Sequence, residues 1–107
     1  MMPRLYACVF ALLSLSRIAS AAPEHTEQVY IDNFTFSPAM ITVSAGTTVI
    51  WMNRDDIPHT VVSSDGKTLK SHALDSDDKY FFTFDTAGEY SYFCSLHPHM
   101  QGTVIVK

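Results

Sequence analysis

The sequence predicts an all-β domain, a sandwich or a barrel. Apolar residues recur with a period of two rather than 3.6. The apolar segments are short and rich in Val, Ile, Thr, Phe and Tyr, and turn-forming residues separate them at close intervals. At 107 residues, 47% hydrophobic and 17% charged, the chain holds one domain and is too apolar for a disordered tail. A net charge of −4 argues against a binder of the nucleic-acid backbone, which needs a basic face.

The first element is an address rather than structure. Residues Met1 to Ala21 read as a secretory signal peptide. Arg4 supplies the positive start, Leu5 to Leu15 is apolar except for Ser14, and Ala19-Ser20-Ala21-Ala22 offers the small-residue cleavage site. The cut is expected after Ala21, because a cut after Ala22 would set Pro23 at the scissile bond. The apolar stretch is too short to span a bilayer, and Cys8 comes too early in it to be a lipid-modified cysteine. Export leaves a domain of residues 22–107, with five basic against eleven acidic residues, and it leaves Cys94 as the one cysteine. A single cysteine in an exported domain cannot form an internal disulfide, so it is either a liability or occupied.

The strands follow in order. Gln28–Asp32, Met40–Ser44 and Thr47–Asn53 are separated by turn signals at Asp32-Asn33, Ser37-Pro38 and Ala45-Gly46. Val49 and Trp51 share one face of the third segment. Thr60–Ser63 follows the Asp55-Asp56 turn. The polar stretch from Ser64 to Asp78 holds at most a short strand near Lys70–Ala73. Lys79–Phe84 and Glu89–Phe93 flank Ala87-Gly88, and Thr103–Lys107 closes the chain with Val104 and Val106 on one face. Alternation sends Tyr90, Tyr92 and Cys94 to the same, core-facing side.

The chemistry concentrates in Cys94-Ser-Leu-His97-Pro-His-Met100, where a thiolate, an imidazole and a thioether recur every third residue between two strands. A second imidazole stands upstream at Ile57-Pro58-His59-Thr60, also at a strand start. Two sheets packed face to face can bring these together. Structural zinc sites seldom use methionine. Two histidines, one cysteine and a weak axial methionine form the blue-copper set, with the nitrogens and thiolate in a trigonal plane. A geometry held between the preferences of copper(I) and copper(II) suits electron transfer, and four protein ligands leave no open position for a substrate. Each residue singly has a plainer reading: a buried cysteine as a small hydrophobe, a histidine as a surface group, a methionine as core filler. The joint pattern outweighs these. His25, His72 and His99 keep the plainer reading. Trp51, Tyr90 and Tyr92 are read as core rather than as redox relays. One competitor is the immunoglobulin domain, whose tyrosine corner sets Tyr two residues before Cys, as Tyr92 and Cys94 stand here. That fold wants a second core cysteine, which the exported part lacks.

At these residues the chain resembles the cupredoxins, and among them the amicyanins. The resemblance rests on Gly46-Thr-Thr-Val-Ile-Trp51-Met-Asn-Arg54, Pro58-His59, Ala87-Gly88-Glu-Tyr90-Ser-Tyr-Phe-Cys94 and His97-Pro98-His-Met100. The two-residue gaps between Cys94, His97 and Met100 match the short amicyanin ligand loop. The resemblance implies a Greek-key β-sandwich of about seven or eight strands. It also implies one type 1 copper ion, cycling between Cu(I) and Cu(II) and held by His59, Cys94, His97 and Met100. It further implies that His97 reaches the surface through an apolar patch as the electron port and can leave the metal by protonation on reduction. The implied partners are an amine dehydrogenase, namely methylamine dehydrogenase, as donor and a c-type cytochrome as acceptor. Three positions depart from the family pattern: His99 stands for Phe, Leu96 for Pro and Thr60 for Asn.

The expected protein is a periplasmic, monomeric one-electron carrier that is not an enzyme, binds no nucleic acid and does not insert stably in a membrane. Its docking patch is expected to include Met52, Pro58, Leu96 and Pro98, and Asp75, Asp77 and Asp78 form a solvated acidic face. The alternative is a periplasmic copper scavenger or chaperone, for which the same ligands would serve.

Overall fold

The structure, a computed structural model, describes residues 25–107. The signal peptide expected at residues 1–21 lies outside them. Eight strands form two four-stranded sheets, and among the described residues no helix is long and apolar enough to cross a membrane. In chain order the strands are β1 (Thr26–Asp32), β2 (Thr35–Ser37), β3 (Met40–Val43), β4 (Thr47–Asn53), β5 (Val62–Ser63), β6 (Lys79–Phe84), β7 (Gly88–Cys94) and β8 (His97–Val106). One sheet runs β2-β1-β4-β6 and the other β3-β8-β7-β5. β1 pairs parallel with β4 and β3 parallel with β8, while the remaining pairs are antiparallel. The chain changes sheet at every connection from β2 to β7, so both sheets are built from segments distant in sequence.

Alternation explains which faces meet. Along β4, Thr47, Val49, Trp51 and Asn53 are buried and the residues between them are half-buried. Val29 and Ile31 of β1, Phe84 of β6, Tyr92 and Cys94 of β7, and Val104 and Val106 of β8 complete the core from the inner faces. Trp51 lies at its centre, with Tyr80, Phe84 and Tyr92 around it at ring-centroid distances of 5.7, 6.3 and 5.4 Å. Burial pushes the Tyr92 hydroxyl up to about 12, against the opposing pull of the neighbouring Trp51 indole, so this tyrosine stays neutral at physiological pH.

The structure differs from expectation at three strands and at the tyrosine corner. β2 falls in a stretch read only as turn, because three residues carry too little periodicity to declare a strand. Its Phe36 is nonetheless core. Near the chain's middle, β5 is only Val62–Ser63, and Lys70 contributes a single bridge to Val62 instead of a strand. β8 begins at His97, not Thr103. Phe93 pairs with Gln101 while Cys94 pairs with His97, so Pro98, His99 and Met100 form a bulge within a continuous strand. Pro98 has no amide to offer a ladder, and a bulge is where a strand tolerates it. The tyrosine corner exists, but Tyr90 makes it: its hydroxyl donates to the Thr86 carbonyl at 2.7 Å, while Tyr92 turns inward.

Two positions require attention to the backbone. β1 and β2 join through the two-residue loop Asn33-Phe34, with φ of 50° and 58°. Two positive φ values define the hairpin turn that normally carries Asn-Gly. Phenylalanine in the second position has a Cβ crowded against the following carbonyl and costs about 1–2 kcal/mol. Gly102 of β8 is required for a different reason: a Cβ there would overlap the ring and hydroxyl of buried Tyr92.

Gly102→Ala is therefore expected to destabilise the metal-free protein by about 1–3 kcal/mol in urea denaturation, since the rigid Tyr92 ring cannot swing aside. Gly88→Ala, whose Cβ meets the Tyr90 ring at an ordinary 3.6 Å, serves as the near-neutral control. A second expectation concerns the turn after β5. The Ser63 and Thr68 hydroxyls and the Thr68 and Lys67 amides hold the Asp65 carboxyl well below the usual carboxylate range. A depressed folded pKa gives stability that is present above the unfolded pKa and lost as pH falls through the folded one. Asp65→Asn should thus be less stable than the parent at neutral pH, and the two stabilities should converge in strong acid.

Candidate metal centre

Three segments of different origin meet at the site. The loop after β4 brings His59, the end of β7 brings Cys94, and the start of β8 brings His97. Asn53, the last residue of β4, is fully buried and organises the first segment. Its side-chain amide donates to the carbonyls of Ile57 at 2.9 Å and Leu74 at 2.8 Å, and its side-chain oxygen accepts the Asp55 amide at 2.9 Å. A buried amide with each of these groups paired fixes the loop rather than weakening it. His59 is then held by reciprocal backbone bonds with Leu74, at 3.1 and 2.7 Å, and is itself fully buried.

Cys94 and His97 face one another across the tight turn Ser95-Leu96 that joins β7 to β8. Thr60 ties this turn to the His59 segment. Its backbone amide points at Cys94 Sγ at 3.4 Å, and its hydroxyl accepts the Ser95 amide at 2.7 Å and pairs with the Ser95 hydroxyl at 2.7 Å. The position read from the sequence as a departure, Thr in place of Asn, still joins the His59 segment to the turn after Cys94.

The ring nitrogens converge. His59 Nδ1 and His97 Nδ1 each lie 3.7 Å from Cys94 Sγ, and the three donor atoms lie within 4.8 Å of one another. An ion bonded to nitrogen at about 2.0 Å and to sulfur at about 2.3 Å sets the two atoms about 3.7 Å apart when the angle between the bonds is near 120°. Both observed separations are thus in the range that one ion bonded to all three atoms requires. Met100, on the β8 bulge, is 4% exposed and belongs to the same buried cluster as Cys94. His99 is exposed, as are His25 and His72, in keeping with their plainer reading.

Two contributors to the site went unread in the sequence. Asp55 was read there only as a turn residue. Its carboxylate accepts His59 Nε2–H at 2.7 Å, which turns the Nδ1 edge of the ring toward Cys94. The same carboxylate accepts the amides of Asn33 at 2.6 Å and Phe34 at 2.9 Å. Burial pushes this carboxyl up, but the Phe34 amide, the His59 ring and the Asn33 amide outweigh burial and hold it below the usual range. The available signal was the four-residue spacing from Asp55 to His59, which is too common to single out. Phe34 is the second: its ring packs edge-on against both His59 and His97, at centroid distances of 5.4 and 5.0 Å.

Comparison with known proteins agrees with this geometry. The cupredoxin-like domain family matches residues 5–106. The chain is 34% identical over 93 residues to amicyanin of Paracoccus versutus, covering 83% of this chain and 70% of that protein. It is 39% identical over 84 residues to the chloroplastic plastocyanin of Tetradesmus obliquus, covering 67% of this chain and 58% of that protein. The crystal structure of Paracoccus versutus amicyanin superposes with a TM-score of 0.70 at 32% identity, covering 83% of this chain and 87% of that one. The cofactor of such proteins is one type 1 copper ion, and the donor chemistry gathered here fits it. The chain thus belongs to the cupredoxins, and it is an electron-transfer protein of the amicyanin and plastocyanin kind rather than an enzyme.

Proposed function

We propose that His59 and His97 through Nδ1, Cys94 as thiolate and Met100 through its thioether would hold the copper ion, and that the protein carries single electrons between redox proteins in the periplasm. The observation that carries this reading is the pair of equal 3.7 Å nitrogen–sulfur separations. Copper supplies the one-electron couple. The chain's own residues supply a donor set that is already converged, so little has to move when the charge changes. Asp55 fixes the orientation of His59, and Thr60 places an amide on the thiolate. Burial of His59, Cys94 and Met100 keeps water from three of the four donors.

His97 is the more exposed histidine of the two, and it stands beside exposed Leu96 and Pro98, with Pro58 also exposed near His59. This supports His97 as the electron port and its apolar surroundings as a transient docking face. Met52, by contrast, is half-buried on β4. By likeness to the amicyanins, the donor is an amine dehydrogenase and the acceptor a c-type cytochrome, with the carrier acting as a monomer. Export follows from the signal peptide at residues 1–21, which leaves the domain at 22–107.

Copper(II) added to the protein lacking residues 1–21 should give an intense blue thiolate-to-copper absorption. Cys94→Ser should abolish it and His99→Phe should retain it. A colourless or pale copper(II) complex would exclude the type 1 reading, and loss of the band in His99→Phe would make His99 a ligand. Carrier and copper-delivery roles separate in a second measurement. A carrier exchanges electrons with a c-type cytochrome in stopped flow while keeping its metal. A chaperone instead yields copper to an apo acceptor protein without that exchange.

A further inference from the structure

The Asn33-Phe34 turn is strained where nothing in the hairpin requires it. A two-residue turn with both φ positive is best served by glycine in its second position, and here φ is 58° at a phenylalanine. The ring contributes little to the core, because Phe34 remains 47% exposed. Its partners are instead the two imidazoles, met edge-on at 86° and 90°. The turn is fastened by the carboxylate that also holds His59, since Asp55 takes the Asn33 and Phe34 amides together with His59 Nε2–H. Strain kept at one residue, against a local alternative that would relieve it, points to a use for that residue.

The His97 ring shows why a use exists. His59 is fully buried, locked through its backbone by Leu74 and through its ring by Asp55. His97 is half-buried, and among the described residues the one hydrogen-bonding contact of its ring is through Nδ1 to Cys94 Sγ. Its ring orientation rests on packing, against His59 at 5.0 Å and Phe34 at 5.0 Å.

We propose that Phe34 is a positioning residue for the metal centre: clamped by Asp55 in a strained turn, it braces the His97 ring so that Nδ1 stays converged with His59 Nδ1 on Cys94 Sγ. The inference rests on the reading of His59 and His97 as copper ligands. It adds a structural link from the β1–β2 hairpin, which carries no ligand, to the exposed side of the centre.

The test separates the ring from the turn. Phe34→Gly removes the ring and relaxes the backbone, so the metal-free protein should be at least as stable in urea as the parent. Copper(I) should nonetheless pass to a bicinchoninate chelator faster by roughly tenfold, the scale on which residues supporting a ligand act. Phe34→Tyr keeps the ring and should restore the parent's rate. In the metal-free protein, the His97 ring proton resonances should shift in Phe34→Gly and return in Phe34→Tyr. Equal copper-loss rates in parent and Phe34→Gly, or a Phe34→Tyr variant as fast as Phe34→Gly, would overturn the proposal. So would a Phe34→Gly variant less stable than the parent when metal-free, because Phe34 would then be an ordinary stabilising contact. If the parent gives no blue copper complex, the copper reading itself fails. The His97 resonances then decide alone whether Phe34 positions that ring: a shift supports it and no change overturns it.

Discussion

The site depends on one short cross-connection, the contact of Thr60 with Cys94 and Ser95. Thr60 follows a loop that leaves the β2-β1-β4-β6 sheet, whereas Cys94 and Ser95 end a strand of the other sheet. A backbone amide on sulfur at 3.4 Å and a hydroxyl on a backbone amide at 2.7 Å join them. Both bonds are buried or partly so, where an unmade partner would cost about 1–3 kcal/mol. The contact holds the His59 segment against Cys94, and so sets the 3.7 Å separation between His59 Nδ1 and Cys94 Sγ.

Around this connection the molecule places rigidity and strain unevenly. Asn53, buried and paired at both ends of its amide, settles the loop before His59. Reciprocal bonds with Leu74 settle the residue itself. On the other side, the β8 bulge lets Pro98, His99 and Met100 leave strand register and return, so a turn of two residues suffices between Cys94 and His97. The positive φ at Phe34 sits at this same end, against the rings of His59 and His97. An electron carrier gains from such an arrangement because reorganisation on charge change opposes transfer, and a donor set held by its surroundings has little to reorganise.

Much of the fold was legible because alternation survives in the longer strands. β4 reads as inward and outward residues along its whole length, and β1, β6 and β7 were placed within one or two residues of their ends. The failures share a physical cause. β2 and β5 are three and two residues long, and pairing with a neighbour makes them strands, not their own pattern. The early start of β8 was hidden by Pro98, a residue that signals a break and that the bulge absorbs. Tyr90 and Tyr92 share one face of β7, so alternation could not say which would form the corner. Packing over Gly102 draws Tyr92 inward and leaves Tyr90 to reach Thr86.

The sequence alone determined the donor chemistry. Softness and charge are properties of side chains, so one cysteine, two histidines and a methionine at these spacings specify a blue-copper set before any coordinates exist. It also determined the fold class, because a period of two is a local property of the backbone. Only the tertiary structure decided the distances among the donors, the orientation of the His59 ring and the company of His97. Phe34 is fastened to Asp55 across 21 residues of chain, and the Thr60 contact with Cys94 spans 34. Such pairings depend on how two sheets stack, and no local pattern encodes them.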